Sequence, residues 1–579
     1  MNKLLTTVVS MLLMTNVQAG AQSFETATDA VKNMGVGWNL GNTLDANNQS
    51  ISDITNDGYW GQQDLNSETC WGQPKATPEL IKMMKDAGFT AIRVPVTWYN
   101  HMDKDGNVDA EWMARVKEVV DYVINEGLYC IVNVHHDTGA DSKDKNGNLT
   151  GYHWIKADAD NFTNNKERFV YLWKQIAETF IDYDQKLLFE GYNEMLDANS
   201  CWNYPTWYQD GKNYDANYAA KSLKAINDYA QTFVNTVRGT GGNNIKRNLI
   251  VNTYAACSGG SWGHVGDVIS QMKLPTETTK GHLIFEVHSY PNISNLNTAK
   301  SDFKNVVKSL KDNLVAQGAP VIFGEWGTSN VDNGKDYIER REDMISFLDF
   351  FVKTCKQNDM ATFYWMGLSD GQYRSQLVFN QADLAKTITK AYHGSSFEGI
   401  YPVPETGGGV LFEGEQMLEW GTCLEYAGTI FADLDNNAKL EITYQQKYDQ
   451  FSGDDAYGMF QFWYGGWGSQ IDVIVDGKTY KNGDFNPASV YGTPDGTEHT
   501  TQFSFSPTVF NNIKSKGVLF QGHGILVKKV VLLTGETGIS KVLYDAANGS
   551  ELFYNLNGQR ISTPKKGIYI KNGKKYIQK

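Results

Sequence analysis

Beyond its first twenty residues the chain lacks any apolar run long enough to span a bilayer, so an integral helical membrane protein is excluded. Cysteine is scarce. Cys70, Cys130, Cys201, Cys257, Cys355 and Cys423 are scattered through 579 residues with no Cys-x-x-Cys pair. That argues against both a small disulfide scaffold and a thiolate metal site, and no pairing is assigned. Cys130, inside an apolar run, reads as a buried thiol. Positive charge is in deficit, with 52 Lys and Arg against 66 Asp and Glu and a net charge of −14. Neither nucleic acid nor an anionic membrane surface suits such a chain. No Gly-x-Ser-x-Gly turn is present, which leaves a serine esterase without support. Gly35-x-Gly37-x-x-x-Gly41 is off the dinucleotide spacing and opens no helix. His135-His136-Asp137 has the residue types of a metal site, but adjacent strand residues point to opposite faces, so one ion is not expected to take both histidines. No cofactor and no metal are expected.

Aromatic residues, by contrast, are plentiful. Phe, Trp and Tyr make up 13%, with 15 Trp and 31 Tyr. Such a surplus suits sugar binding, where ring faces stack on pyranose C–H faces, and also suits large β domains. The length calls for two or three domains. Residues 1–21 combine Lys3, an apolar stretch from Leu4 to Val17 and Ala19-Gly-Ala21, the pattern of a signal peptide.

Residues 22–398 alternate short apolar runs with amphipathic stretches. The runs begin at Met34, Thr90, Tyr129, Leu187, Leu249, Leu283, Val321 and Thr362. Between them, Thr77-Pro78 is a helix start with proline at the first position, and the pattern from Asp109 stops at Gly127. Eight such alternations predict an α/β fold, a (β/α)8 TIM barrel. Active sites of these barrels lie where the strands end. Those ends carry Arg93 and Trp98, His135-His136-Asp137, Asn193-Glu194, His288 and Tyr290, Glu325-Trp326, and Trp365. Any one of these has a bland explanation in packing or ion pairing. Six strand ends with this chemistry at once do not.

Two glutamates, Glu194 and Glu325, each close an apolar run. On different strands they can face one substrate from two sides, as glycosidic cleavage needs. Glu190 and Glu286 share strand parity with Glu194 and His288, so they are expected to point into the barrel below the substrate.

Gly37-Trp-Asn-Leu-Gly-Asn-Thr-Leu-Asp45, Arg93-Val-Pro-Val, Asn133-Val-His-His, Gly191-Tyr-Asn-Glu194, His288-Ser-Tyr290 and Gly324-Glu325-Trp together resemble the motif set of glycoside hydrolase family five. The first of these, with Glu68-Thr-Cys-Trp71-Gly, resembles its bacterial endoglucanase and xyloglucanase subfamily. The resemblance covers about residues 24 to 395. It implies Glu194 as acid/base and Glu325 as nucleophile. Asn42, Arg93, His135, His136, Asn193, His288, Tyr290 and Trp365 are then the candidate substrate-binding residues. Arg93 and the Tyr290 hydroxyl are suitable donors to an ionised Glu325, Asn193 to the sugar 2-hydroxyl, and Trp365 is a floor for the attacked sugar. The implied activity is retaining endo-hydrolysis of β-1,4-glucosidic bonds in cellulose, mixed-linkage glucan or xyloglucan. A β-mannanase, or a catalytically silent polysaccharide-binding protein, stays open as an alternative.

From residue 399 the composition changes. A Pro/Gly linker (399–409) leads to strand-like segments at 440–444, 461–464, 472–477, 501–505 and 525–533. These predict a smaller all-β sandwich, 410–535, a candidate carbohydrate-binding module. Gln521 to Leu533 resembles the closing strand of jelly-roll binding modules. Trp420, Trp463, Tyr464 and Trp467 are candidates for a stacking platform or for core; Trp463 and Tyr464, being neighbours on a strand, cannot both face the same way. Residues 539–579 resemble a C-terminal sorting signal of the Bacteroidetes, with a small β hairpin as the plain alternative. The expectation is a monomer acting on β-glucan and delivered to the cell surface or medium.

Overall fold

The computed structural model describes residues 24–47; 64–197 apart from 104, 140, 144–148 and 152; 215–259; 265–328; 341–404; 409–533 apart from 433, 435, 451, 452, 454 and 455; and short strands between 553 and 578. The expected leader, much of the tail, Cys201 and the segment 198–214 lie outside the described residues. None of the described helices is long and apolar enough to cross a membrane. The five described cysteines are free thiols.

Eight parallel strands close a barrel: β1 (Val36–Asn39), β2 (Ala91–Val94), β3 (Tyr129–Asn133), β4 (Leu187–Glu190), β5 (Leu249–Cys257), β6 (Leu283–Ser289), β7 (Val321–Trp326) and β8 (Ala361–Tyr364). The helices between them start and stop where local chemistry dictates. Thr77 caps α2 (Pro78–Asp86) by accepting from Leu80 N, and Asp109 caps α3 (Ala110–Asn125). Gly127 at φ 75° then turns the chain toward β3.

Strand alternation divides the barrel interior into layers. Ile131, Leu188, Ile250, Ile284, Ile322 and Phe363 form an apolar floor, closed from below by Val31 and Met34 of α1 (Ala27–Met34). Two residues further along, the same inward parity places Asn39, Arg93, Asn133, Glu190, Asn252 and Glu286. An apolar floor thus carries a buried polar layer, which hydrogen bonds must satisfy.

On β7 the alternation breaks. Val287 pairs with Phe323, but the next residue, His288, pairs with Glu325, so Gly324 is an extra residue on β7. Such a bulge re-aims the side chains beyond it. Trp326 therefore turns outward and stacks on Phe351 at 4.1 Å, with its side chain fully buried. A Cβ on Gly324 would sit 1.6 Å from Glu286 Oε1, so only glycine fits there.

Residues 399–404 open the expected linker, yet they are pinned to the barrel. Ile400 N donates to Asp86 O, and Phe379 N donates to Pro402 O. The sandwich follows, with β9 (Gly409–Leu418), β10 (Cys423–Tyr426), β11 (Lys439–Gln446), β12 (Met459–Tyr464), β13 (Glu498–Phe503), β14 (Val518–His523) and β15 (Ile525–Leu533). One sheet has the order β9-β15-β11-β13 and the other β10-β14-β12. Phe460, Phe462, Phe503 and Phe520 fill the space between them. The single closing strand expected over 521–533 is two strands in different sheets, parted by Gly524 at φ 61°. In the tail, Phe553–Tyr554, Arg560–Ile561, Gly567–Lys571 and Lys574–Gln578 form an antiparallel four-stranded sheet.

Candidate active site

Arg93, fully buried at the end of β2, organises the site. Its Nε and Nη2 grip both oxygens of Glu190 at 2.7 and 2.8 Å. Nη1 donates to Asn39 Oδ1 at 3.0 Å and to Glu325 Oε1 at 2.8 Å, and Nη2 also reaches Asn193 Oδ1 at 2.8 Å. Burial works against the charge of Glu190, but the Arg93 cation outweighs it and holds that carboxyl below its usual range. Asn133 and Asn252 add amide donors to Glu190 Oε1 at 3.0 and 3.2 Å. Glu190 is thereby fully paired, whereas Glu286 Oε2 and Asn252 Oδ1 in the same layer find no hydrogen-bond partner among the described residues. The product of the paired part is the fixed position of Glu325.

Glu325 is 7% exposed at its side chain. Its second oxygen accepts from the Tyr290 hydroxyl at 2.8 Å. Burial pushes its pKa upward, while His288 and Arg93 pull the other way. Glu194, which follows β4, is more open, at 25%. His288 stands between the two carboxylates, with Nδ1 2.7 Å from Glu194 Oε1 and 3.5 Å from Glu325 Oε2. Burial disfavours its charge, but Glu325, Glu194 and Glu286 outweigh that and push its pKa up to about 10. As an imidazolium it donates from Nδ1 to Glu194 and from Nε2 to Glu286 Oε1 at 3.2 Å. Burial and the charge of Glu190 push Glu286 up to about 8. One oxygen from each of Glu194 and Glu325 and one His288 nitrogen all lie within 4.8 Å of one another.

The remaining candidates border this centre. Asn133 Nδ2 donates to His135 Nδ1 at 3.0 Å, which leaves the proton on Nε2, 3.9 Å from Glu325 Oε1. Burial first, then the neighbouring cations, holds His135 well below the ordinary histidine pKa, hence neutral. Trp365 stacks parallel to His135 with ring centroids 5.9 Å apart. Asn193 spends its oxygen on Arg93, so its amide nitrogen is left for a ligand. His136 lies farther out, 3.7 Å from Asp45 and 5.2 Å between ring centroids from the half-exposed Trp71. Asn42 takes the left-handed conformation at φ 55° in a turn where Asp45 accepts from the Asn42 and Thr43 amides.

Three expectations need correction. Trp98 is no sugar platform: it is fully buried and its indole donates to Asn133 O at 2.8 Å. Trp326 is likewise barrel packing, because the bulge turns it out. The parity argument separating His135 from His136 also fails, since β3 ends at Asn133 and the two rings meet edge-on at 4.5 Å. Asp45 stands with them, its oxygens occupied by the turn amides. Asp137, unassigned from sequence, accepts from Trp98 N and Trp154 Nε1 and ties down the loop after β3. Asn39, Asn133 and Asn252 were missed, although inward parity two residues beyond the floor was a signal for each.

Two facing carboxylates at the strand ends of such a barrel are the arrangement that glycosidic cleavage needs, which points to the glycoside hydrolases. Residues 46–370, over half of the chain, match the family described as cellulase (glycosyl hydrolase family 5), and the chain belongs to it. Endoglucanase B of Neocallimastix patriciarum is 31% identical over 399 residues, 66% of this chain and 74% of that one. Among solved structures, a GH5-4 broad specificity endoglucanase from an uncultured bacterium is 53% identical with a TM-score of 0.59, covering 64% of this chain and 97% of its own. A glycoside hydrolase family 5 enzyme of Prevotella bryantii B14, solved with a xyloglucan tetradecasaccharide, is 40% identical with a TM-score of 0.54, covering 64% and 99%.

Proposed function

We infer that the chain is a retaining, endo-acting β-1,4-glucanase on cellulose, mixed-linkage glucan or xyloglucan, with Glu325 as nucleophile and Glu194 as acid/base. The observation that carries this is the approach of Glu194 and Glu325 oxygens within 4.8 Å. Retaining enzymes hold their carboxyls roughly 5–5.5 Å apart, whereas inverting ones leave about 6.5–9.5 Å for a water. In the first step a Glu325 oxygen bonds to the anomeric carbon as the glycosidic C–O bond breaks. Glu194 delivers its proton to the departing sugar oxygen. In the second, Glu194 takes a proton from water, whose oxygen attacks the same carbon and releases Glu325. Arg93 and Tyr290 hold the attacking carboxylate ionised and aimed, and Asn193 meets the 2-hydroxyl. The names of the relatives, endoglucanases among them, support the substrate class. The leader and tail motifs support export to the cell surface or medium.

The assignment of Glu194 is tested through its proton. Wild-type kcat/KM is expected to rise as Glu325 ionises and to fall as the acid/base loses its proton. Glu194→Gln should lose about 10³-fold or more on polysaccharide. On an aryl glycoside with a good leaving group, assayed with azide while glycosylation limits the rate, far less is lost and the basic limb disappears. A basic limb unchanged under those conditions assigns the proton to another group, Glu286 first.

A further inference from the structure

The sheet β10-β14-β12 buries one face in the sandwich core through Leu424, Tyr426, Phe520 and Phe462. Alternation sends Glu425, Leu519 and Trp463 in one row, and Cys423, Gln521 and Gln461 in the next, to the opposite face. Leu519 is fully buried there, and Gln521 and His523 are nearly so. The amides are pre-aligned: Gln521 Nε2 donates to Gln461 Oε1 at 2.9 Å, and Gln461 Nε2 to Asp484 at 2.8 Å. Indoles frame them. Trp467, 46% exposed, stands edge-on to Trp463 at 5.9 Å, and Trp420, 45% exposed, stacks on His523 at 5.7 Å. Trp463 Nε1 is buried with no partner among the described residues. Of the four aromatic candidates only Tyr464 belongs to the core.

This face meets the barrel beside the cleft. Glu425 O accepts from Gln372 Nε2 at 3.0 Å and from the Tyr373 hydroxyl at 2.6 Å, and Ala427 N donates to that hydroxyl at 2.9 Å. The Glu425 carboxylate accepts from Gly466 N at 2.6 Å, the residue before Trp467. On the barrel side, Gln73 binds Asp370 and accepts from Gly371 N at 3.0 Å. Two residues before Gln73 is Trp71, 39% exposed, which borders His136 in the cleft. A hydrogen-bonded seam, with Gln73 and Tyr373 buried in it, therefore joins the loop of Trp71, beside His136, to Glu425 and the turn that carries Trp467.

We propose that this sheet face is the outer part of the substrate cleft, taking the neutral β-glucan chain that leaves the barrel past Trp71. Trp467 and Trp463 stack on its sugar faces, while the Gln461 amide, held between Gln521 and Asp484, meets a hydroxyl. The site rests on the glucanase reading. Because it is docked, it raises the local concentration of a chain already held in the barrel and so favours only substrates long enough to reach both.

Full-length protein carrying Trp467→Ala tests this, and the exposure of that side chain keeps folding out of question. The ratio of kcat/KM on soluble barley β-glucan to kcat/KM on an aryl cellobioside is expected to fall about tenfold, through KM on the polymer. Adsorption to insoluble glucan should fall with it. Weaker adsorption with an unchanged ratio makes the sandwich an independent anchor and overturns the continuous cleft. No change in either removes glycan from this face. Failure of the wild-type protein to cleave either substrate instead counts against the glucanase reading itself.

Discussion

Glu325→Ala should lower kcat on soluble β-glucan by about 10⁴-fold or more while the glycan still binds. The reason is local. Both oxygens of Glu325 are aimed by donors, Arg93 at 2.8 Å and Tyr290 at 2.8 Å, at the place where the anomeric carbon must sit. No neighbour can stand in for it: Glu190 is locked by Arg93 and Glu286 is turned to His288. The vacated space should admit azide, which attacks from the Glu325 side and gives an α-glycosyl azide from an activated β-glycoside. Wild-type activity in Glu325→Ala would remove the nucleophile assignment outright.

The second large effect belongs to Arg93→Met, which keeps the volume and deletes the charge. Arg93 binds Glu190 and Glu325 and lies 3.4 Å from Glu286, all three being buried. Without it the carboxylates of Glu190 and Glu325 share a dry layer with Glu286, whose pKa is pushed up to about 8, and breaking such a pair from one side costs about 3–5 kcal/mol. Activity should fall with stability, by about 10³-fold or more, because Glu325 loses its aim and its counter-ion. The sign of the pH dependence follows from Glu190. In the wild type its pKa is held below the unfolded value, so it adds stability above that value and loses it as pH falls through the folded one. In Arg93→Met burial acts unopposed and the pKa is raised, so the cost is largest at neutral pH and shrinks toward about pH 4. Denaturation midpoints at pH 7 and pH 4 check this; a variant as stable as wild type at pH 7 would show that the polar layer needs no cation.

Much of this was legible in the sequence. All eight barrel strands can be placed from it, because strands buried on both faces read as plain apolar runs and their helices carry caps. Glu194, Glu325, Arg93, His288 and Tyr290 do meet, as their positions at strand ends implied. Local deviations from alternation were not legible. The extra residue at Gly324 turns Glu325 in and Trp326 out, and His135 and His136 converge because the strand has already ended. The asparagines at 39, 133 and 252 look like turn residues in a sequence, yet inward parity makes them amide donors within the buried layer, to Gly324 O from Asn39 and to Glu190 from Asn133 and Asn252. In the sandwich, β9, β10 and β14 were missed. The first of these alternates weakly, and β14 runs on into β15 with only Gly524 at the corner to mark the change of sheet.

A double displacement between Glu194 and Glu325 leaves its mark on the stereochemistry of the first-formed product. Proton NMR during the first minutes of cleavage of a soluble cello-oligosaccharide should show the β-anomer of the new reducing end appearing first, with the α-anomer following only by mutarotation. Appearance of the α-anomer first would mean that water attacks directly and that Glu325 is not the nucleophile.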